Sequence, residues 1–74
     1  MEKKYECVED LQSAEWCVGE VDTIEGWRQR SIVWVEDEAF DNYENLIEEI
    51  KSLPKEKVLD YITDFYQIVF KEVN

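Results

Sequence analysis

The sequence has no histidine, one proline, two glycines and two cysteines among its 74 residues. Each shortage removes a class of chemistry. Without histidine the commonest general base is missing, and Ser13, Ser31, Ser52 and the cysteines have no imidazole to activate them. Gly19 and Gly26 stand alone, so there is no glycine-rich phosphate loop. Cys7 and Cys17 do not form a C-x-x-C, and two thiols without histidine do not complete a zinc ligand set. A two-carboxylate hydrolase needs a cleft, for which a domain this small has little interior to spare. The expectation is a protein that is not an enzyme and needs no cofactor and no metal.

Long apolar runs are missing as well. No stretch approaches the roughly 18 apolar residues of a membrane span, and the opening residues, Met1 to Glu6, do not read as an apolar signal segment. A cytoplasmic location is therefore expected, the host's cytoplasm if the chain is phage-encoded. Cys7 and Cys17 should be free thiols there. A disulfide between them requires a fold that brings their backbones together, which sequence leaves open.

What is present is large side chains and negative charge. Three Trp, four Tyr and three Phe, with 45% hydrophobic residues, exceed what a disordered chain carries. They give one domain, residues 1–74, the dense core that a short chain needs. Nineteen Asp and Glu face eight Lys and Arg, a formal net charge of −11. Self-repulsion of that surplus opposes compaction. It serves either solubility or a surface matched to a basic partner. Direct binding of nucleic acid or of an anionic membrane is disfavoured, because both would be repelled.

The pattern along the chain divides it into a β-leaning front and a helical back. Alternation over residues 3–9 places Tyr5 and Cys7 on one side and suits a short strand, although Val8 and Leu11 could open a helical turn instead. Residues 15–21 and 27–35 are rich in β-branched and aromatic side chains and read as strands. Residues 22–26 between them have the length and glycine of a hairpin loop. Centring that hairpin on Ile24 sets Arg28 opposite Glu20, Ile32 opposite Trp16 and Trp34 opposite Ala14. Trp16, Val18, Ile32 and Trp34 then share the core face.

A helix is expected over 38–52, where Phe40, Tyr43, Leu46, Ile47, Ile50 and Leu53 recur at three- and four-residue spacing. Asp37 would cap it, or Asp41 with Glu44 as the matching acid. Pro54 ends it. A second helix is expected over 55–72, with apolar residues from Val58 to Val73 covering roughly 200° of its circumference, more than a one-sided surface helix needs. The fold class is α+β: a small antiparallel sheet of two to three strands covered by a C-terminal helical hairpin.

The candidate binding residues are mostly acids. Asp37, Asp41, Glu44 and Glu48 fall on one face of the first expected helix. About 5 Å separates successive members of that row, against one charge per roughly 3.4 Å on each strand of duplex DNA. One row is too sparse to imitate a phosphate strand. A second row drawn from Glu20, Asp22, Glu25, Glu36, Asp60 and Asp64 would be needed. A solvated helix face is the ordinary alternative. Trp27 lies across from Val21 in the expected register, on the face away from Trp16 and Trp34. It is either an exposed interface anchor or part of a minor cluster with Val21 and Val33. Arg28 and Arg30 are expected in cross-strand ion pairs, Arg28 with Glu20.

These features point to a protein that works by binding. In size and charge the chain resembles small acidic phage-encoded blockers of bacterial defence, such as anti-CRISPR proteins and restriction inhibitors; the likeness carries no motif. That class implies an inhibitor or decoy for a basic nucleic-acid-binding protein or nuclease, by nucleic-acid mimicry. The alternatives are an immunity protein or antitoxin for one toxin, and a structural or regulatory subunit that forms a homodimer through the second helix.

Overall fold

The structure, a computed structural model, describes residues 3–10, 17–38 and 43–73. Along the chain run β1 (Lys4–Asp10), β2 (Val21–Thr23), α1 (Ile24–Glu38), α2 (Tyr43–Ser52), α3 (Lys55–Tyr66) and β3 (Ile68–Val73). The strands form an antiparallel sheet in the order β2-β1-β3. The class is α+β. Among the described residues no helix is long and apolar enough to cross a membrane.

β1 is the central strand. Tyr5 pairs with Asp22 on one side and with Glu72 on the other, and Cys7 pairs with Phe70. An irregularity between Cys7 and Glu9 shifts the register so that Asp10 lies opposite Ile68. A bulge of this kind resets the alternation, and Cys7, Asp10 and Ile68 are all buried. The opposite face stays open to solvent, with Val21 and Val69 43% and 38% exposed.

Residues 27–35, expected to be a strand, lie inside α1. The hairpin of 15–21 with 27–35 is therefore replaced, and with it the pairing of Arg28 with Glu20. Of residues 15–21, Glu15 and Trp16 fall outside the described residues, as does Ala14; Cys17–Gly19 form a turn and only Val21 enters β2. The cause lies at the helix start. Thr23 Oγ1 accepts the Gly26 N–H at 3.1 Å, and Asp22 Oδ1 accepts the Thr23 N–H at 2.8 Å. That satisfies donors a helix leaves free at its N-terminus, and Glu25 adds negative charge in the first turn. Gly26 packs directly on the Asp22 carboxylate, where a Cβ would collide. Once the helix starts, Trp27, Ser31 and Val35 fall at four-residue spacing on the buried face.

Trp27 is at the centre of the core. It is fully buried, donates from Nε1 to the Tyr5 carbonyl at 2.9 Å, and meets the Phe70 ring edge-on at 4.8 Å. The Arg30 guanidinium covers its other side at 5.0 Å from the ring centroid. It is neither exposed nor part of a minor cluster with Val21 and Val33, both of which are solvent-facing.

The expected break at Pro54 is present. α2 ends at Ser52, and Pro54 stands at the N-cap of α3 with extended backbone. Arg28 closes α2 from outside, donating from Nη1 to the carbonyls of Ile50 at 2.7 Å and Lys51 at 3.1 Å. A cation on the last carbonyls suits the negative end of a helix. Of the expected 38–52 helix, Tyr43–Ser52 are helical as α2; Glu38 belongs to α1, and residues 39–42 (Phe40 and Asp41 among them) lie outside the described residues.

The expected 55–72 helix stops at Tyr66. Gln67 adopts the left-handed conformation, φ 57° and ψ 45°, and Ile68–Val73 continue as β3. The wide apolar circumference thus came from joining a helix that buries Val58, Ile62 and Tyr66 to a strand that buries Ile68. Gln67 holds its backbone in a region that costs an L-residue roughly 1 kcal/mol. Gln67→Gly should raise the stability by about 0.5 kcal/mol after the greater unfolded-state freedom of glycine is subtracted. The midpoint of thermal unfolding should rise by roughly 3 °C; a fall would show that the Gln67 side chain holds the turn in some other way.

Cys7 and Cys17 are buried free thiols in one core cluster, and Cys7 donates to the Glu9 carbonyl at 3.9 Å. Burial raises the Cys7 thiol, and burial together with the Cys7 neighbour pushes Cys17 up to about 12. Below the ordinary thiol value of 9.0 both states hold their protons, and stability is independent of these groups. Above it the unfolded chain ionises first, so stability falls as pH rises toward the folded value. Urea midpoints should therefore decline between pH 9 and pH 11, and the decline should flatten in Cys17→Ser. A midpoint constant over that window would contradict a buried neutral thiol.

Candidate functional site

Three of the predicted acids are engaged inside the fold. Arg30 pairs with Asp22 at 3.1 Å and with Glu20 at 3.7 Å, and Arg28 pairs with Glu25 at 3.0 Å. The partner expected for Arg28, Glu20, thus belongs to Arg30. Both arginines also have structural duties on Trp27 and α2, which ties these acids to partners within the fold. Trp27 is withdrawn from the surface altogether.

The expected single row of Asp37, Asp41, Glu44 and Glu48 is divided. Asp37 sits in the last turn of α1, Asp41 lies outside the described residues, and Glu44 and Glu48 are on α2. Asp37 thus belongs to α1 and Glu44 and Glu48 to α2, with residues 39–42 between them outside the described residues. Asp37, Glu44 and Glu48 are all exposed, and none makes an ion pair among the described residues.

A different acidic face forms where the three helices meet. Glu36, Asp37 and Glu38 occupy the last turn of α1, which has no basic residue. Asp64 stands in the last turn of α3, which has none either. The negative end of a helix disfavours carboxylates by roughly 0.3–1 kcal/mol each when exposed. On α3, Asp60 and Asp64 line a shallow open depression of about 360 Å³ with Leu53, Lys57 and Tyr61.

Aromatic rings run beside those acids. Tyr61 and Phe65 stack at 5.8 Å, Phe65 leans on Tyr66 at 4.9 Å, and Tyr66 meets Trp34 edge-on at 5.3 Å. The carboxylates of α1 and α2 act on this strip. Burial raises the Tyr61 hydroxyl, and the Glu49 charge raises it further. Burial also raises Tyr66, assisted by Glu38 and by Tyr61. The Tyr66 hydroxyl is buried without a hydrogen-bond partner among the described residues. Glu49 on α2 and Glu38 on α1 thus act on Tyr61 and Tyr66, while Asp60 and Asp64 line the depression beside Tyr61.

Of the sequence candidates, the structure brings together Asp60 and Asp64. Glu38, Glu49, Tyr61 and Phe65 were missed. Tyr61 and Phe65 are four residues apart and Asp60 and Asp64 likewise, so the pairing of an acidic with an aromatic stripe on α3 was available as a signal. Glu38 and Glu49 carried none, since their approach depends on how the helices pack. Chemically the face can accept cationic side chains: carboxylates take the charge, and tyrosine and phenylalanine rings take the flat face of a guanidinium or the stem of a lysine. Among the described residues no group of three or more potential ligands is arranged to hold a metal ion. Compared with protein-family models, curated proteins and solved structures, the chain matches none.

Proposed function

We propose that this chain is a binding protein whose carboxylate face on α1, α2 and α3 engages a basic nucleic-acid-handling protein, as an inhibitor or decoy of the phage anti-defence kind. The observation that carries the reading is the placing of Glu36, Asp37, Glu38 and Asp64 at helix C-terminal ends that have no base. Those positions oppose the helix dipole and gain nothing within the described fold. Local rules broken without internal compensation are the mark of a surface kept for something outside. The depression beside Tyr61 supplies a place for one lysine or arginine of the partner, with Asp60 and Asp64 on its wall.

A second reading has its own support. The acids cluster around aromatic rings and do not run in a line, which suits a dedicated toxin's basic patch as well as a phosphate-binding groove. An immunity protein or antitoxin would be built this way and need not compete with nucleic acid.

The test is retention and release. The chain is immobilised, a partner is captured at low salt, and duplex DNA or RNA is added. Release by nucleic acid, with loss of the partner's nuclease or nucleic-acid binding, supports the inhibitor. Retention undisturbed by nucleic acid favours the immunity reading. Retention unaffected by amide substitution of Glu38, Glu49, Asp60 and Asp64 would remove this face from both.

A further inference from the structure

The two cysteines have no part in the acidic face, yet the fold brings them together. Cys7 lies in the central strand and Cys17 begins the turn that leads into β2. The Cys7 N–H donates to the Glu20 carbonyl at 3.0 Å, and the Gly19 N–H donates to the Cys7 carbonyl at 2.9 Å. The Glu20 N–H closes the turn on the Cys17 carbonyl at 3.0 Å, with Gly19 in the positive-φ conformation at 91°. Two backbone hydrogen bonds thus fix the turn against the strand, and the third closes the turn itself. The side chains meet beneath it: Cys7 is fully buried, Cys17 is 2% exposed, and both belong to the same core cluster.

The Cys7 thiol donates to the Glu9 carbonyl at 3.9 Å. Cys17 shares its buried cluster on a segment whose backbone is locked to β1, and each side chain shifts the other's ionisation, Cys17 lowering Cys7 and Cys7 raising Cys17. A disulfide asks for short Cα and Cβ separations between the segments it joins, and here the two segments are adjacent and hydrogen-bonded, with both side chains in one buried cluster. We infer that Cys7 and Cys17 are a latent disulfide pair, oxidised to an intramolecular bond by low-molecular-weight disulfides such as oxidised glutathione.

The exchange balances without any other reactant. One cysteine, as its thiolate, attacks a sulfur of the small disulfide and expels one thiol, leaving a mixed disulfide on the protein. The second cysteine attacks the protein's sulfur and expels the other thiol. The protein loses two hydrogens and two electrons, and the small disulfide becomes two thiols. Burial keeps both protein thiols protonated near neutrality, so the reaction is slow in the native state. Its rate should rise about tenfold per pH unit below the ordinary thiol range, and mild denaturant should accelerate it. The bond would tie β1 to the turn before β2, clear of the helical face, so this inference does not depend on the proposed partner.

The experiment incubates the full chain with oxidised glutathione at pH 8.5 and follows intact mass, thiol content after unfolding, and thermal melting. The expected product is a monomer lighter by two hydrogens, without a glutathione adduct, with no titratable thiol. Its melting midpoint should be about 10 °C higher, and dithiothreitol should restore the original. Cys7→Ser and Cys17→Ser should each lose that gain and stop at a mixed disulfide. Should a serine variant fail to fold, peptide mapping of the native chain after oxidation and alkylation reads the bond directly. A stable glutathione adduct on the wild-type chain, a disulfide-linked dimer, thiols that stay fully titratable, or an oxidised monomer that melts lower would each overturn the inference.

Discussion

Trp27→Ala is expected to lower the melting midpoint by about 20 °C, or to abolish cooperative unfolding. Truncating a buried tryptophan costs roughly 3–5 kcal/mol, and a domain of 74 residues has a total stability of only about 4–11 kcal/mol at ordinary values per residue. Three separate interactions are lost in this case. The edge-on contact with Phe70 is removed from the junction of α1 and β3. The Tyr5 carbonyl loses its Nε1 donor. Arg30 loses the ring beneath its guanidinium, while its ion pairs with Glu20 and Asp22 remain. Trp27→Phe separates these terms, because it keeps an aromatic ring and deletes the donor. It should cost about 1–2 kcal/mol, mostly the unpaired carbonyl and the smaller ring. Circular dichroism melts of the three proteins decide it. If Trp27→Ala melted within a few degrees of the parent, the residue would belong on the surface, and its loss should then be sought in partner binding.

The position of Trp27 also shows where sequence reading succeeds and fails. Pro54, the helical spacing of Leu46, Ile47 and Ile50, and that of Val58, Ile62 and Tyr66 were sufficient to place α2 and α3, because punctuation and period agreed. In residues 27–35 they disagreed. Composition favoured a strand, with Trp27, Ile32, Val33, Trp34 and Val35, while Trp27, Ser31 and Val35 keep helical period. Ser31 broke the apolar pattern and so hid it, yet its hydroxyl is satisfied by donating to the Arg28 carbonyl at 2.7 Å. The deciding signal was short: Asp22 and Thr23 ahead of Glu25 and Gly26, a helix start that resembles a hairpin turn. At the other end, Ile68–Val73 extended a helical pattern without a glycine or proline to stop it. A left-handed Gln67 does so, and nothing local in the sequence marks it. The consequence for the site is direct. With Ile24–Glu38 helical, the acids after Val35 are placed at a helix end and the candidates before Trp27 are placed beside arginines. Charge excess was legible from composition; which acids remain unneutralised depended on one helix boundary.

Amide substitution of Glu38, Glu49, Asp60 and Asp64 should move binding and stability in opposite directions, which makes it the sharpest test of the acidic face. The change takes the formal net charge from −11 to −7, since four carboxylates are neutralised. In the free protein, removing like charges relieves repulsion, and the helix end at Glu38 gains by losing a charge opposed to its dipole. The melting midpoint should stay level or rise by a few degrees. For a basic partner, each lost pair is worth about 0.5–1.5 kcal/mol near a surface. The four together should weaken affinity by roughly 100-fold at low ionic strength, with association slowed and its dependence on salt made shallower. A general loss of charge must be distinguished from loss of this face. Glu6→Gln with Glu9→Gln supplies the comparison, because both lie on β1 and not on the helices, and neither makes an ion pair among the described residues. That pair should alter affinity by no more than about twofold, in keeping with the weak effect of distant charges beyond a Debye length of about 8 Å at physiological salt. Equal losses from the two sets would mean that the partner responds to net charge alone. An unchanged affinity in the fourfold variant would leave the acids around Tyr61 as solvated surface, and the fold as a scaffold whose binding site lies elsewhere.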